Sequence, residues 1–385
     1  MLVFARAIQG AFGALLTPSV LALLTTTFKD HKERGKAFGI YGAIAGAGAG
    51  IGLILGGVLT TYVSWRWTLF INLALAVVAI TGAAMWLIND KAADHDPLDI
   101  TGLILATAGL FSVVFGFSHA ETASWGNPLT IGFLALAVIL LTAFVRLEQK
   151  TKYPLLPLRI IMNRTRGGSL LASLFASIGI FGVFLFLTYY LQGILGWSAV
   201  KTGIAYLPMV FGLIASSIAS NAILLPKVGP KILVPIGLMV SSVALYLLHN
   251  IGIHSTYNGH VLPELIILGI GFGLSLSPAF STGTLGLEPH DAGVGSAALN
   301  TMQQVGGSIG TALLNTLAAS ATTAFLVGKV ITPANRIGAA LHGYTAAFLW
   351  SALIFVVGAL VSVIVFERGD LSKLAKVDTL MANTN

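Results

Sequence analysis

The feature that most constrains this chain is a succession of apolar stretches, each about 18 to 25 residues long, separated by short polar segments. A helix of that length crosses a hydrocarbon layer about 30 Å thick. Of the 385 residues, 56% are apolar and only 9% are charged, whereas roughly a quarter of the residues in a soluble globular chain are charged. The pattern therefore predicts an all-α, polytopic membrane protein.

About eleven such stretches are found when charged residues, proline and glycine are taken to mark their ends. They lie near residues 2–28, 37–62, 67–88, 99–118, 129–147, 168–192, 202–225, 232–249, 261–285, 295–327 and 343–366. Alternate loops, with the C-terminal tail, hold 16 of the 21 Lys and Arg residues. Because short cytoplasmic loops collect positive charge, we predict that the C-terminus is cytoplasmic and that Met1 is at the outer face.

Charge and cysteine content exclude several other classes of protein. The net charge of +7 does not indicate nucleic-acid binding, because no folded basic module accompanies it. The absence of cysteine excludes disulfides and thiol chemistry. One acidic segment could be either a metal site or a solvated linker whose last residue caps the next helix; its residues are Asp90, Asp94, His95, Asp96 and Asp99. We interpret it as a linker and expect no metal and no cofactor.

An internal repeat predicts the architecture. One motif of the first span recurs in the ninth span, as Phe12, Gly13 and Pro18 against Phe272, Gly273 and Pro278. The glycine-rich helix that follows also matches in both places, at Gly48, Ile51 and Gly52 against Gly306, Ile309 and Gly310. Parallel repeats of this kind build transporters from two six-helix halves. We therefore expect a truncated three-span N-terminal bundle at 1–88, two inserted transmembrane helices at 89–150, and a C-terminal six-helix bundle with a cytoplasmic tail at 151–385.

Arg6 is a charged residue within the first span, and Gln9 lies three residues on, on the same helix face. A charge inside a span is expensive and usually faces a cavity or a partner. Arg6 could instead extend its charged end to the interface. We favour the cavity.

Five glycines in the second span follow a fixed spacing and would give that helix a smooth, bendable face; they are Gly39, Gly48, Gly52, Gly56 and Gly57. Ordinary packing of small residues is the alternative. The spacing of the whole set favours a functional helix.

Polar residues in the tenth span form one stripe along a helix, at Asn300, Gln304, Ser308, Thr311 and Asn315, with Gln303 beside it. A polar stripe is unfavourable in lipid unless it meets protein or water. It therefore indicates either a solute pathway or hydrogen bonds between helices.

The sixth span ends in Tyr189, Tyr190 and Gln192, which could line the outer mouth of a cavity or belong to the interfacial aromatic belt. No Asp or Glu lies in the interior of a predicted span, since Asp99, Glu264 and Glu288 are at span ends. Proton coupling usually needs a titratable group within the membrane. If the chain is proton-driven, we expect its coupling carboxylate in helices that precede Met1.

Several segments together resemble the drug/proton antiporters of the major facilitator superfamily that have fourteen spans. They are RAIQG at Arg6–Gly10, the glycine series of the second span, SWRWTLFINL at Ser64–Leu73, YYLQGILGWSAVKTGIAYLP at Tyr189–Pro208 and LNTMQQVGGSIGTALLNT at Leu299–Thr316. The resemblance covers essentially the whole chain. It implies the major facilitator fold with about eleven of roughly fourteen spans present, the first three being expected before Met1.

The same resemblance implies that Arg6 is the buried arginine that the family links to proton coupling, and that the five glycines form the antiporter signature helix. The family usually has proline where this chain has Leu53, so the chain departs from the family pattern at the residue that would kink this helix. The segment LPKVGPK at Leu225–Lys231 is similar to a degenerate copy of the family's signature loop.

These features predict a proton-coupled exporter of drugs or amphipathic small molecules that works by alternating access. The partners expected are the small-molecule substrate, protons and the lipid bilayer, with no nucleic acid and a monomeric chain in the bacterial inner membrane. Two alternatives remain, a truncated protein without transport activity and an exporter of an endogenous metabolite. An intramembrane enzyme is not expected, because no catalytic cluster lies within the spans.

Overall fold

The computed structural model describes residues 2–28, 37, 44, 48, 50–87, 99–285, 287 and 289–367. This part of the chain is helical and contains no strand. The helices of the first part are α1 (Leu2–Thr27), α2 (Gly50–Val63), α3 (Trp67–Trp86), α4 (Ile100–Thr122) and α5 (Pro128–Glu148). After them come the short α6 (Leu158–Met162), α7 (Arg164–Ile194), α8 (Ala199–Val228), α9 (Pro230–His249), α10 (Leu262–Thr284), α11 (Pro289–Leu326) and α12 (Pro333–Val365).

Within the described residues, nine helices are long and apolar enough to cross a membrane. They coincide with the third to the eleventh predicted spans. Shorter apolar helices at Phe4–Leu16 and Gly50–Val63 lie at the first two. The prediction of an all-α, polytopic membrane protein is confirmed.

Side-chain caps place some helix ends outside the predicted spans. The α7 helix begins at Arg164 rather than near residue 168, because the Asn163 side chain accepts hydrogen bonds from the backbone N–H groups of Thr165 and Arg166, each at 3.1 Å. The α12 helix begins ten residues early, where the Thr332 hydroxyl accepts from the N–H of Asn335 at 3.2 Å. The hydropathy pattern does not predict these helical turns, because they contain polar residues.

Helices α7 to α12 pack around one hydrophobic core, whose buried members run from Ala172 to Phe366. Aromatic rings occupy its centre, and Phe272 of α10 meets Phe355 of α12 edge to face, with ring centroids 5.8 Å apart. Fully buried aromatic side chains contribute large apolar areas and specific geometry to such a core. This bundle is the scaffold on which the remaining helices are placed.

Within this bundle α8 and α10 approach to backbone contact. A Cβ atom on Gly269 would collide with the carbonyl of Met209, and one on Gly273 would collide with the hydroxyl of Ser216. The hydroxyl of Ser220 donates to the carbonyl of Gly273 at 3.0 Å. Small residues permit this approach, which helices in lipid use because the hydrophobic effect does not hold them together there.

Helices α4 and α5 form an antiparallel hairpin that packs through α4 against α11. Leucines of α5 sit over glycines of α4, where an added Cβ would lie 2.7 Å from Leu141 at Gly109 and 2.8 Å from Leu134 at Gly116. Asp99 caps α4 as predicted, accepting the N–H of Gly102 at 2.8 Å. The other residues of the acidic segment, 90–96, lie outside the described residues.

The first three helices pack more loosely. Helix α1 lies along α11 and α2 contacts α8, whereas α3 has no buried residue. The division of the chain into 1–88, 89–150 and 151–385 stays a prediction.

Candidate transport pathway

The predicted polar stripe lies on α11, and most of it is half-buried. Asn300, Gln303, Ser308, Thr311 and Asn315 are partly accessible, and Gln304 is exposed. The hydroxyls of Ser308 and Thr311 donate to carbonyls of their own helix, each at 2.9 Å. These two hydroxyls therefore satisfy their donors without a bond to another helix, and their lone pairs remain able to accept a bond from a solute.

The opposite face of α11 carries its glycines and packs against α7. A Cβ on Gly306 would lie 2.5 Å from the carbonyl oxygen of Leu174, and one on Gly310 would collide with the carbonyl of Ile178. Successive residues turn by about 100° around a helix, so Gly306 and Gly310 lie on the far side from Gln304 and Ser308. The packing against α7 thus fixes the direction in which the polar stripe points.

Arg6 and Gln9 contact each other on α1, as their spacing predicts. The guanidinium Nη1 of Arg6 donates to Oε1 of Gln9 at 2.7 Å, and both side chains are exposed. No described carboxylate lies within 4.0 Å of Arg6. Because α1 lies along α11, the two helices that carry the predicted polar residues are neighbours.

The residues of the predicted outer mouth, at the end of α7, differ in their exposure. Tyr189 is 47% exposed, and its ring is tilted by 42° to that of Tyr344 with centroids 6.0 Å apart. Gln192 is exposed. Tyr190 is completely buried, and its hydroxyl donates to the carbonyl of Gly252 at 2.9 Å.

Tyr190 is thus packed inside the bundle in this structure, and its place in the substrate pathway stays a prediction. The helix widens into a π-helical turn at Tyr190–Ile194, in which the N–H of Leu195 donates to the carbonyl of Tyr190 at 3.1 Å. The wider turn changes the direction in which the residues after Tyr190 point, compared with a regular α-helix.

The glycines of the second span lie in different environments. A Cβ on Gly57 would lie 2.7 Å from the carbonyl oxygen of Ala199 and 2.9 Å from Cα of Val200. By contrast, a Cβ on Gly48, Gly52 or Gly56 meets no described atom within 4 Å. Gly39 lies outside the described residues.

Helix α8 meets α2 in the same way. A Cβ on Gly203 would lie 2.6 Å from the carbonyl oxygen of Leu53, the position where the family usually has proline. The first two turns of α2, from Leu53 to Gly57, and the N-terminal end of α8 are therefore in backbone contact. Either glycine would have to move if it gained a side chain.

A polar cluster that the sequence analysis missed joins the other end of α8 to α10. The amide nitrogen of Asn221 donates to the hydroxyl of Ser277, and the hydroxyl of Ser281 donates to Oδ1 of Asn221 at 2.9 Å. Asn221 lies in a π-helical turn, Ser220–Leu224. A lone Asn in an apolar span is the signal that could have found it.

The connector between the hairpin and the C-terminal bundle is held by an ion pair. Nη2 of Arg159, in α6, lies 2.7 Å from Oδ2 of Asp291 in the first turn of α11, and the Asp291 side chain is 2% exposed. A carboxylate is favourable in the first turn because of the partial positive charge there. The pair ties the connector to the helix that carries the polar stripe.

Comparison with known proteins decides the family. The sequence profile of the Major Facilitator Superfamily matches residues 1–311. The chain belongs to the Major Facilitator Superfamily. It is 40% identical to a puromycin resistance protein of Streptomyces alboniger over 95% of this chain and 73% of that protein.

Further relatives in the Major Facilitator Superfamily carry similar names. A cephamycin export protein of Amycolatopsis lactamdurans is 32% identical, over 92% of this chain and 72% of that protein. A lincomycin resistance protein of Listeria monocytogenes is 27% identical, over 95% of this chain and 77% of that protein. The predicted resemblance to drug-resistance transporters of this superfamily is confirmed.

Proposed function

We propose that the chain is a proton-coupled secondary active exporter of drugs or amphipathic small molecules, working by alternating access. The observation that carries the proposal is the likeness to proteins named for antibiotic resistance and export, which extends over nearly the whole chain. The half-buried polar stripe on α11 supports it, because such a stripe can accept a solute that passes between helices.

The arrangement of polar groups supports particular roles. The substrate pathway includes Gln9, Asn300, Gln303, Gln304, Thr311 and Asn315, with Tyr189 and Gln192 at its mouth. Arg6 acts in proton coupling, because a permanently charged guanidinium within a span can stabilise a carboxylate or a negative substrate group nearby.

Alternating access requires two bundles that meet through contacts which can be made and broken. The contact of Gly57 with Ala199 and Val200 is a candidate for one of these. The chain is placed in the bacterial inner membrane with its C-terminus in the cytoplasm, and it works as a monomer.

The first test is drug accumulation in an antibiotic-sensitive bacterial host that produces the protein. We expect cells with the protein to accumulate several-fold less puromycin than cells with an empty vector, and to grow at higher puromycin concentrations. Equal accumulation in both strains, with the protein shown to be in the membrane, would rule out puromycin export. A panel of cationic and neutral amphipathic antibiotics in the same assay would then define the substrate class.

A further inference from the structure

A cluster of three uncharged polar side chains joins the C-terminal part of α8 to that of α10. The side-chain amide of Asn221, on α8, donates to the hydroxyl of Ser277, and the hydroxyl of Ser281 donates to Oδ1 of Asn221 at 2.9 Å. Asn221 also donates to the carbonyl of Ser217, one turn earlier in its own helix, at 3.4 Å. Both helices are long and apolar enough to cross a membrane. The cluster is therefore a polar patch within two spans.

These hydrogen bonds leave part of the cluster's capacity unused. The hydroxyl of Ser277 accepts from Asn221, and its own O–H donates to no atom of the described residues. The hydroxyl of Ser281 has donated its hydrogen, and Oδ1 of Asn221 accepts one bond although it has two lone pairs. The cluster thus offers a donor at Ser277 and acceptors at Ser281 and Asn221, and none of the three side chains is charged.

The cluster is open to one side. Ser281 is exposed, and Asn221 and Ser277 are half-buried. A polar group that stays accessible within a span is favourable against water or a solute and unfavourable against lipid. The apolar side chains of Phe211 and Ile218 are 68% and 63% exposed, and they lie on a face of α8 turned by about 60 to 80° from Asn221. The face of α8 that suits lipid is thus separate from the cluster.

The face of α8 that carries Asn221 is also the face that meets α2. Its residues recur at intervals of three, four or seven positions and so lie in one line along the helix; they are Gly203, Leu207, Val210, Ser217 and Asn221. A Cβ on Gly203 would lie 2.6 Å from the carbonyl oxygen of Leu53. A Cβ on Gly50 would lie 3.6 Å from the side chains of Leu207 and Val210. The cluster therefore continues the line of contact between the C-terminal bundle and α2, and transporters built from repeats place substrate sites where the repeats meet.

We infer that Asn221, Ser277 and Ser281 form a binding subsite for an uncharged polar group of the transported molecule, such as an amide, a carbonyl or a hydroxyl. The inference rests on the proposed export function and names the part of the substrate that these side chains recognise. A ligand carbonyl accepts the O–H of Ser277, and a ligand N–H or O–H donates to Ser281 or to Oδ1 of Asn221. The three side chains supply no carboxylate to a cationic centre, so the subsite selects for hydrogen bonding rather than for charge.

Equilibrium binding to the purified protein in lipid nanodiscs tests the subsite and needs neither transport nor a proton gradient. The two probes are chloramphenicol, a neutral molecule with an amide and hydroxyl groups, and tetraphenylphosphonium, a cation without a hydrogen-bonding group. Asn221→Leu keeps the approximate size of the side chain and removes its hydrogen bonds. We expect this variant to weaken chloramphenicol binding about three- to tenfold and to change tetraphenylphosphonium binding by less than about twofold.

Two further variants separate recognition from folding. Ser281→Ala removes an acceptor from an exposed position, so it should keep the wild-type melting temperature and still weaken chloramphenicol binding. Asn250→Leu is the matched control, because Asn250 is exposed at the end of α9 and its amide donates to the carbonyl of Tyr246 in its own helix at 3.1 Å. It should leave the binding of both probes unchanged.

Three results would overturn the subsite. They are the absence of chloramphenicol binding to the wild type, chloramphenicol binding that Asn221→Leu and Ser281→Ala leave unchanged, and equal weakening for both probes. In the last case the cluster only holds α8 to α10. A failure of puromycin export in cells would instead contradict the proposed export function and would leave the binding result intact.

Discussion

Replacing Gly57 by alanine should lower the rate of drug export about tenfold or more, whereas Gly56→Ala should leave it close to the wild-type rate. A methyl group on Gly57 would lie 2.7 Å from the carbonyl oxygen of Ala199, and the atoms it meets are backbone that cannot rotate away. On Gly56 the same methyl group meets no described atom within 4 Å. The two glycines are adjacent in one helix, so their effects on helix propensity are similar.

The physical basis is a shift between conformations. Overpacking a close contact costs about 1 to 3 kcal/mol, and about 1.4 kcal/mol changes a population ratio tenfold. A contact made in only one state of the transport cycle therefore biases the cycle when it is blocked. The measurement is the initial rate of drug efflux per amount of protein in the membrane. Equal rates for Gly57→Ala and Gly56→Ala would show that the α2–α8 contact has no part in transport.

Replacing Arg6 by alanine should reduce export to the background of the empty vector while the protein still inserts into the membrane. Arg6 is the charged residue of α1, and its guanidinium is held by Gln9 at 2.7 Å. A positive charge in a cavity attracts a carboxylate or a negatively charged substrate group that approaches it. Alanine has no charge and cannot provide this attraction. Export and membrane content would be measured in the same cells.

Two control variants separate charge from geometry at this position. Arg6→Lys keeps the positive charge but loses the planar fork of donors, so it should retain a fraction of the wild-type rate. Gln9→Ala removes the partner of Arg6 and should have a smaller effect than Arg6→Ala. Unchanged export by Arg6→Ala would place Arg6 at the lipid interface, the alternative that its position near the start of α1 left open.

The membrane spans could be predicted from the sequence because apolar length is a local property. The predicted helix ends were less accurate where a capping side chain begins a polar helical turn, as at Asn163 and Thr332. The side of α11 that carries the polar stripe follows from helical spacing alone. Tyr189 is exposed whereas Tyr190 is buried, because adjacent residues of a helix point about 100° apart.

The contacts between helices could not be predicted in this way. Gly57 and Gly56 are equivalent in the sequence, and only the neighbouring Ala199 distinguishes them. Glu148 falls one residue beyond the predicted span 129–147, so hydropathy did not indicate that it is buried. Its burial depends on Asp99 and Leu156, which the fold brings to it.

We propose that drug export by this chain is driven by exchange for protons. The most direct test measures drug movement in vesicles that contain the protein, with an imposed proton gradient and a pH-sensitive dye inside. We predict that addition of the exported drug accelerates dissipation of the gradient in wild-type vesicles but not in Arg6→Ala vesicles, and that an uncoupler stops concentrative drug transport. Drug transport that continued against its gradient after the proton gradient had been collapsed would contradict the account.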